Sequence, residues 1–112
     1  MLNLNNKRFK AISNSVSGQV SSKTIFNYFQ DKNIIWATYS GGTIKKGHLI
    51  GLMNNDQSLD FHYHHVDEDF NIKTGKCHSV FQKTSSGKIS FTEHWQWTCG
   101  DNSTGTSIIE EI

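Results

Sequence analysis

The histidines of Phe61–His65 are the residues of this chain whose types and spacing most directly suggest chemistry. His62 and His64 are two residues apart, so on a β-strand both imidazoles share one face and could ligate one metal ion, with His94 or Asp60 as a third ligand. Zinc sites normally use three or four such groups. Strand alternation places this pair on the solvent face, however, and we therefore predict solvated histidines and no metal site.

Two other motifs are typical of covalent or phosphate chemistry. Cys77 and His94 are plausible cross-strand neighbours and could form a nucleophile and its base, but no third member accompanies them. The segment Gly100–Gly105 is glycine-rich but lacks the Gly-Lys-Ser/Thr ending and the following helix of a phosphate loop, so we predict a hairpin loop. We assign no catalytic residue and no cofactor, and enzymatic activity stays an open question with a non-enzymatic role favoured.

These residues lie on a chain that has no Pro and no helical period. Turn signals recur about every ten to fourteen residues, which is typical of an all-β fold. The predicted strands are Arg8–Ser13, Lys23–Gln30, Ile34–Ser40, Thr43–Met53, Leu59–Val66, Asn71–Lys83, Lys88–Thr98 and Thr104–Ile112. An antiparallel meander of this kind removes its edges by closing on itself. We predict a single eight-stranded up-and-down barrel that forms one domain over residues 1–112.

Side-chain alternation divides the strands into two faces, which the turn lengths connect from strand to strand. The face predicted to line the barrel contains the apolar residues Ile25, Phe29, Ile35, Tyr39, Ile44, Ile50, Leu52, Leu59, Phe61, Tyr63, Ile72, Val80, Ile89, Phe91, Trp95 and Trp97. The other face is mostly polar, but it includes a group of apolar residues on the second to fourth strands, namely Phe26, Tyr28, Trp36 and Leu49. An apolar patch outside a barrel indicates a subunit interface, so we predict a homodimer or homotetramer formed through this patch. The predicted register also places Trp36 opposite Gly47 on the neighbouring strand, where the ring would cover the bare backbone.

The predicted inner face also carries polar residues, and these form the main functional hypothesis. They are Lys46, His48, His65, Thr74, Lys76, His78, Glu93 and Glu110. The predicted register places His78 beside Glu93 and Glu93 near Glu110, with Arg8 or Lys10 as a cation that could separate the two carboxylates. Because burial of an unpaired charge costs several kcal/mol, these groups must pair with one another, lie at a wet opening or contact a ligand.

Two interpretations of this polar set remain open. It is either an internal salt-bridge network or the polar end of an aromatic-lined ligand pocket, since pockets combine apolar walls with a few polar groups. The candidate ligand-binding residues are Tyr39, Tyr63, His65, Lys76, His78, Glu93, Trp95, Trp97 and Glu110.

Composition narrows the class of partner. The 112-residue chain has a net charge of +1 from 11 basic and 10 acidic residues, without a basic stripe, so we expect no nucleic acid. Residues 1–10 show no secretory signal, and no apolar run is long enough for a membrane span, so we expect no membrane association. Cys77 and Cys99 lack metal or redox spacing and are predicted to be free thiols of a cytoplasmic protein.

Several short motifs occur along the chain, namely Thr38–Gly42, Tyr63 with His65 and Val66, Thr74-Gly75 with Cys77, Glu93 with Trp95–Thr98, Gly100-Asp101 with Ser103, and Ser107 with Glu110-Glu111. These motifs resemble those of a group of small bacterial proteins that are sometimes labelled N-acetylglutamate synthase. The resemblance covers nearly the whole chain and implies an avidin-like, calycin-type barrel, without any catalytic residues to transfer.

The residues and the resemblance together favour a barrel that binds a small organic ligand in its lumen. The alternatives are a non-catalytic oligomeric structural or interaction protein and, less favoured, an enzyme of the kind that the synthase label suggests.

Overall fold

The computed structural model describes residues 2–112 and contains eight β-strands. They are β1 (Lys7–Asn14), β2 (Ile25–Asp31), β3 (Ile34–Gly41), β4 (Ile44–Met53), β5 (Leu59–Asp67), β6 (Ile72–Lys83), β7 (Ile89–Trp97) and β8 (Thr104–Glu111). Each strand pairs antiparallel with the next along the chain, and β1 pairs with β8 to close the barrel. The predicted all-β, eight-stranded up-and-down barrel is therefore confirmed. The part of the chain that the structure describes has no helix that could span a membrane.

Three of the hairpin loops share one geometry. In Asn54–Ser58, Asp67–Asn71 and Thr84–Lys88 the amide of the first residue donates to the carbonyl oxygen of the fifth, at 2.8, 3.0 and 2.9 Å. The fourth residue has a positive φ of 68° at Gln57, 62° at Phe70 and 84° at Gly87. This is the three-residue hairpin loop, in which a tight turn is followed by one residue in the left-handed region. Such a residue need not be glycine, and here it is Gln57 and Phe70 in two of the three loops.

These loops correct the predicted register. Glu93 pairs with Ser79 rather than His78, and with Ser107 rather than Glu110. Because neighbouring strands are offset from the prediction by an odd number of residues, β3, β5 and β7 face as predicted, whereas β2, β6 and β8 are inverted. β4 is inverted beyond its bulge between Ile44 and Lys46, and Ile44 itself is buried as predicted. The predicted interior residues that lie outside are Ile25, Phe29, Lys46, His48, Ile50, Leu52, Ile72, Thr74, Lys76, His78, Val80 and Glu110.

The inversion also changes the predicted outer patch and the first strand. Phe26, Tyr28 and Leu49 are buried, so the prediction that they form an outer interface is wrong, and only Trp36 of that group faces outward. Trp36 pairs with Ile50 instead of Gly47. On β1 the predicted inward cations Arg8 and Lys10 are exposed, and Phe9 and Ala11 are buried in their place.

The two ends of the barrel are closed differently. At one end the N-terminal segment folds under the strands: the Leu4 side chain is fully buried, and its amide donates to Gln30 Oε1 at 2.8 Å. Phe9 and Phe91 pack above it, with ring centroids 5.8 Å apart. At the other end lie residues 15–24, which connect β1 to β2 and which we call the covering loop. The lumen below the covering loop combines aromatic and polar lining residues.

Candidate functional site

Aromatic side chains from β3, β5 and β7 form the walls of this lumen. Tyr39, Tyr63, Trp95 and Trp97 all point inward. The Trp97 ring lies 5.7 Å from both Tyr63 and Trp95, measured between ring centroids, and it meets the Tyr63 ring edge-on at 68°. Offset and edge-on pairs of this kind are favourable beyond the area that they bury. The walls are therefore a connected aromatic cluster rather than separate side chains.

Glycines on the neighbouring strands make room for these rings. The cross-strand pairs are Tyr39 with Gly47, Tyr63 with Gly75, and Trp95 with Gly105. A Cβ atom at any of the three glycines would overlap the paired ring. Because the rings lie flat against bare backbone, they occupy the wall of the barrel and leave space in its centre. The sequence predicted an aromatic ring over a cross-strand glycine for Trp36 and Gly47. The structure has this arrangement in these three other pairs instead.

The Glu93 carboxyl is the main polar group in the lumen. It is 5% exposed and accepts hydrogen bonds from Ser79 Oγ at 3.3 Å and Ser107 Oγ at 3.0 Å. Burial raises the pKa of Glu93 to about 7, although the two serine hydroxyls partly oppose this shift. The carboxyl therefore exists in both protonation states near neutral pH and can accept or donate a hydrogen bond. Among the described residues it has no cationic partner, so the interpretation as an internal salt-bridge network is wrong.

Two further buried groups face the same interior. The Tyr28 hydroxyl is buried and has no hydrogen-bond partner within residues 2–112. Burial, followed by the charge of Glu93, raises the pKa of Tyr28 well above its ordinary value. Burial likewise raises the pKa of the Cys77 thiol, so this group is neutral and a poor nucleophile. The hypothetical Cys77 and His94 pair is not formed, because Cys77 faces the lumen and His94 is exposed outside.

His65 is the polar group beneath the covering loop. Its Nδ1 lies 3.0 Å from the Tyr39 hydroxyl and its Nε2 lies 2.6 Å from Gln19 Oε1. Burial lowers the pKa of His65 to about 4, so the ring is neutral at neutral pH and one nitrogen must accept. Since burial raises the pKa of Tyr39, its O–H is present and donates to Nδ1. The Nε2–H of His65 then donates to the side-chain Oε1 of Gln19.

The covering loop and the last residue of β1 accept hydrogen bonds from the two tryptophans. Trp97 Nε1 donates to the carbonyl oxygen of Ser17 at 3.1 Å, and Trp95 Nε1 donates to Asn14 Oδ1 at 3.2 Å. The space left in the lumen is about 40 Å³. One water needs roughly 10–15 Å³ by this measure, so the closed lumen has room for a few water molecules. The closed lumen thus has little free volume, and its two indole donors are satisfied by the covering loop and by the end of β1.

The structure brings together six of the nine predicted site residues, namely Tyr39, Tyr63, His65, Glu93, Trp95 and Trp97. It places the other three outside the lumen, because their strands are inverted. Lys76 and His78 are exposed, and Glu110 is half-buried on the outer side of β8. His78 instead contacts Asp60, with Nδ1 and Oδ1 2.7 Å apart. Whether the six lumen residues bind a ligand stays a prediction.

Sequence reasoning missed several polar residues of the site. Ser79 and Ser107, which hold Glu93, lie on the inverted strands β6 and β8, and Asn14 and Gln19 lie in or beside the covering loop. No periodicity marks a loop residue as inward-facing, so the sequence carried no signal for Gln19. His62 and His64 are exposed, and no group of three or more potential metal ligands lies together in residues 2–112.

Comparison with protein families supports this architecture. A family model described as "Avidin-like protein" matches residues 2–112. Comparisons with curated proteins and with solved structures found no match. The avidin-like part of the predicted resemblance is therefore confirmed, whereas the synthase label gains no support from any of the three comparisons.

Proposed function

The chain belongs to the avidin-like protein family, and we propose that it binds a small organic ligand inside its barrel. One observation carries the proposal: the carboxyl of Glu93 lies in a lumen walled by aromatic rings, where two serines hold it and no cation of the described part of the chain pairs with it. Binding sites combine apolar walls with a few placed polar groups. If this position served only stability, the fold would be more stable with a cation paired to the carboxyl or with an apolar residue in its place.

The chemistry of the lumen favours a flat ligand with an N–H or O–H donor. The faces and edges of Tyr63, Trp95 and Trp97 suit a planar or apolar body. Glu93 accepts a donor when ionised, and its pKa of about 7 would fall when it binds a cationic or N–H group. Any ligand larger than a few waters needs the covering loop to move outward, because the closed lumen offers only about 40 Å³.

A thermal-shift screen of metabolites against the parent chain tests the proposal. A ligand at a hundred times its dissociation constant stabilises a protein by about 2.7 kcal/mol. For a chain of this size that corresponds to a rise of roughly 10 °C in Tm. The same ligand should shift Glu93→Gln much less, and it should shift the matched control Glu110→Gln as much as the parent. If no class of metabolite raises the Tm, and mass spectrometry finds no molecule released from natively purified protein, the proposal fails.

A second proposal concerns self-association through the outside of the barrel. Phe29, Ile34, Trp36, Ile50 and Leu52 lie together on β2–β4, and we call them the outer apolar patch. Ile50 is 52% exposed beside Trp36, which stacks on Phe29 at 6.0 Å between ring centroids. Contiguous apolar surfaces of this kind mark protein contacts. We infer that a second copy of the chain covers this patch, in place of the patch predicted from the sequence.

A further inference from the structure

The Gln19 side chain makes two hydrogen bonds to the barrel through its carboxamide. Its Oε1 lies 2.6 Å from His65 Nε2, and its Nε2 donates to Asp67 Oδ2 at 3.1 Å. In a primary amide the C=O and one N–H lie on the same side, so one donor and one acceptor of the barrel read both groups together. A donor beside an acceptor complements the edge of an amide that carries C=O and N–H on the same side.

The two barrel groups are held in place by contacts that do not involve Gln19. Tyr39 fixes the His65 ring through Nδ1, which leaves Nε2–H free to donate. Asp67 is 3% exposed, and its Oδ1 accepts from the backbone amides of Asp69 and Asn71 at 3.0 and 2.9 Å, so Oδ2 is directed toward the lumen end. A donor and an acceptor are thus preorganised at the mouth of the barrel. Preorganisation lowers the cost of binding a ligand.

We propose that His65 and Asp67 form a subsite for the amide edge of a ligand, and that Gln19 occupies this subsite in its place when the covering loop is closed. The inference rests on the lumen-binding function proposed above and names the ligand class: a primary carboxamide, or a cyclic amide whose N–H and C=O share one side. Open-chain secondary amides are excluded, because their trans geometry places N–H and C=O on opposite sides.

Gln19 competes with such a ligand because it is tethered beside the subsite. A group on a short flexible connection acts at an effective concentration in the millimolar range. The loop is also anchored by the Thr43 hydroxyl, which donates to the backbone carbonyl oxygen of Gln19 at 3.1 Å. Removing the Gln19 amide therefore frees the subsite while leaving this backbone anchor in place. The parent should bind amides weakly, and a variant without the amide should bind them better.

The experiment compares 2-pyrrolidinone, a cyclic amide, with N-methylacetamide, an open-chain trans amide of similar size. Each is titrated into the parent, Gln19→Ala and the loop control Ser22→Ala, and binding is followed by NMR at the His65 ring and the Trp97 indole N–H. We expect Gln19→Ala to bind 2-pyrrolidinone at least tenfold more tightly than the parent does. The same variant should bind 2-pyrrolidinone at least tenfold more tightly than it binds N-methylacetamide. Ser22 is an exposed residue of the same loop, so Ser22→Ala should behave as the parent does.

The outcomes separate this inference from the proposed function. Equal affinity of Gln19→Ala for both amides overturns the amide subsite, and if metabolites still bind in a Glu93-dependent way the lumen-binding function stands. If neither amide nor any metabolite binds to the parent or to the variant, both proposals fall. Gln19→Asn provides a second variant with the amide retained on a shorter arm. It should give an intermediate gain in affinity for 2-pyrrolidinone. A gain equal to that of Gln19→Ala also supports the inference, provided that near-ultraviolet circular dichroism shows a native fold for both variants. A Gln19→Asn affinity equal to the parent's overturns the inference.

Discussion

At the scale of single residues, the lumen is built from polar groups that are neutral or exchange one proton near neutral pH. Burial raises the pKa of Glu93 to about 7 and lowers that of His65 to about 4. Both shifts favour the uncharged form, as desolvation does for acids and bases alike. The interior is therefore polar without a fixed charge pair, which suits a ligand that brings hydrogen-bond donors.

The pH dependence of stability should reveal the buried carboxyl of Glu93. Between its ordinary pKa and about 7 the folded chain binds more protons than the unfolded chain, so this residue makes stability fall as pH rises. The loss amounts to at most about 3 kcal/mol. His65 acts oppositely, because its lowered pKa makes stability fall as pH drops from about 6.5 toward about 4. The parent profile should therefore be nearly flat in the range where the two effects overlap.

Glu93→Gln isolates the two effects. Denaturant unfolding of parent and variant at about pH 5 and about pH 8 should show that the parent loses up to about 3 kcal/mol relative to Glu93→Gln as pH rises. The variant alone should become more stable with rising pH over the range in which His65 titrates. A difference between the two proteins that stays constant with pH would show that Glu93 is ionised in the fold, contrary to its burial.

At the scale of structural elements, pairs of an aromatic residue and a glycine shape the lumen, and three-residue loops set the register between β4 and β5, β5 and β6, and β6 and β7. The two devices use glycine for different reasons. Gly75 has no Cβ because the Tyr63 ring lies against it, whereas Gly87 has no atom within contact distance of a Cβ but a φ of 84°. Packing explains the first glycine and backbone conformation explains the second.

Gly75→Ala should destabilise the barrel through packing. The added methyl group overlaps the Tyr63 ring, and overpacking of this kind costs roughly 1–3 kcal/mol. The double variant Gly75→Ala with Tyr63→Ala should recover part of the loss relative to the sum of the single changes, as measured in a double-mutant cycle of unfolding free energies. Strict additivity would contradict a direct contact between the two residues.

Gly87→Ala should destabilise through the backbone alone, by about 1 kcal/mol, because an L-residue in the left-handed region is strained. The nearby exposed Ser85→Ala provides the control, and its unfolding midpoint in denaturant should match that of the parent. An unchanged midpoint for Gly87→Ala would mean that this loop adopts another turn in solution.

At the scale of the whole molecule, the barrel has one sealed end, one end closed by the covering loop, and one apolar outer surface. The covering loop closes the end of the lumen where it contacts His65 and Trp97, so the proposed ligand would enter at this end. The apolar outer surface leaves Ile50 and its neighbours in water unless another surface covers them. A stable interface buries about 800 Å² on each partner, so an outer contact must extend beyond these five side chains.

Self-association is therefore expected to depend on Ile50. Sedimentation of the parent should show a concentration-dependent dimer or tetramer, and Ile50→Lys should shift the population to monomer by placing a charge in the contact. Ile72→Lys is the matched control, since Ile72 is 72% exposed on β6, outside the outer apolar patch, and should leave association unchanged. A parent that stays monomeric at every concentration contradicts the second proposal.

The sequence alone determined the eight strands, their up-and-down order and the inward face of β3, β5 and β7. On β5 and β7 large aromatic residues recur on one side, as Trp95 and Trp97 do on β7, and alternation then identifies the buried face. Six of the predicted lumen residues come from β3, β5 and β7. The even-numbered strands have apolar residues on both faces, as with Phe26 and Phe29 on β2, so local pattern could not choose between them.

Only the tertiary structure decided the register and the contents of the lumen. Each hairpin transmits its parity to the next strand, and the left-handed conformation of Gln57 and Phe70 has no glycine to signal it. The position of Gln19 depends on the closure of β1 against β8, which brings a loop from the start of the chain over residues that lie far away in sequence. Local side-chain period specifies what a strand can bury, whereas contacts between distant segments specify what it does bury.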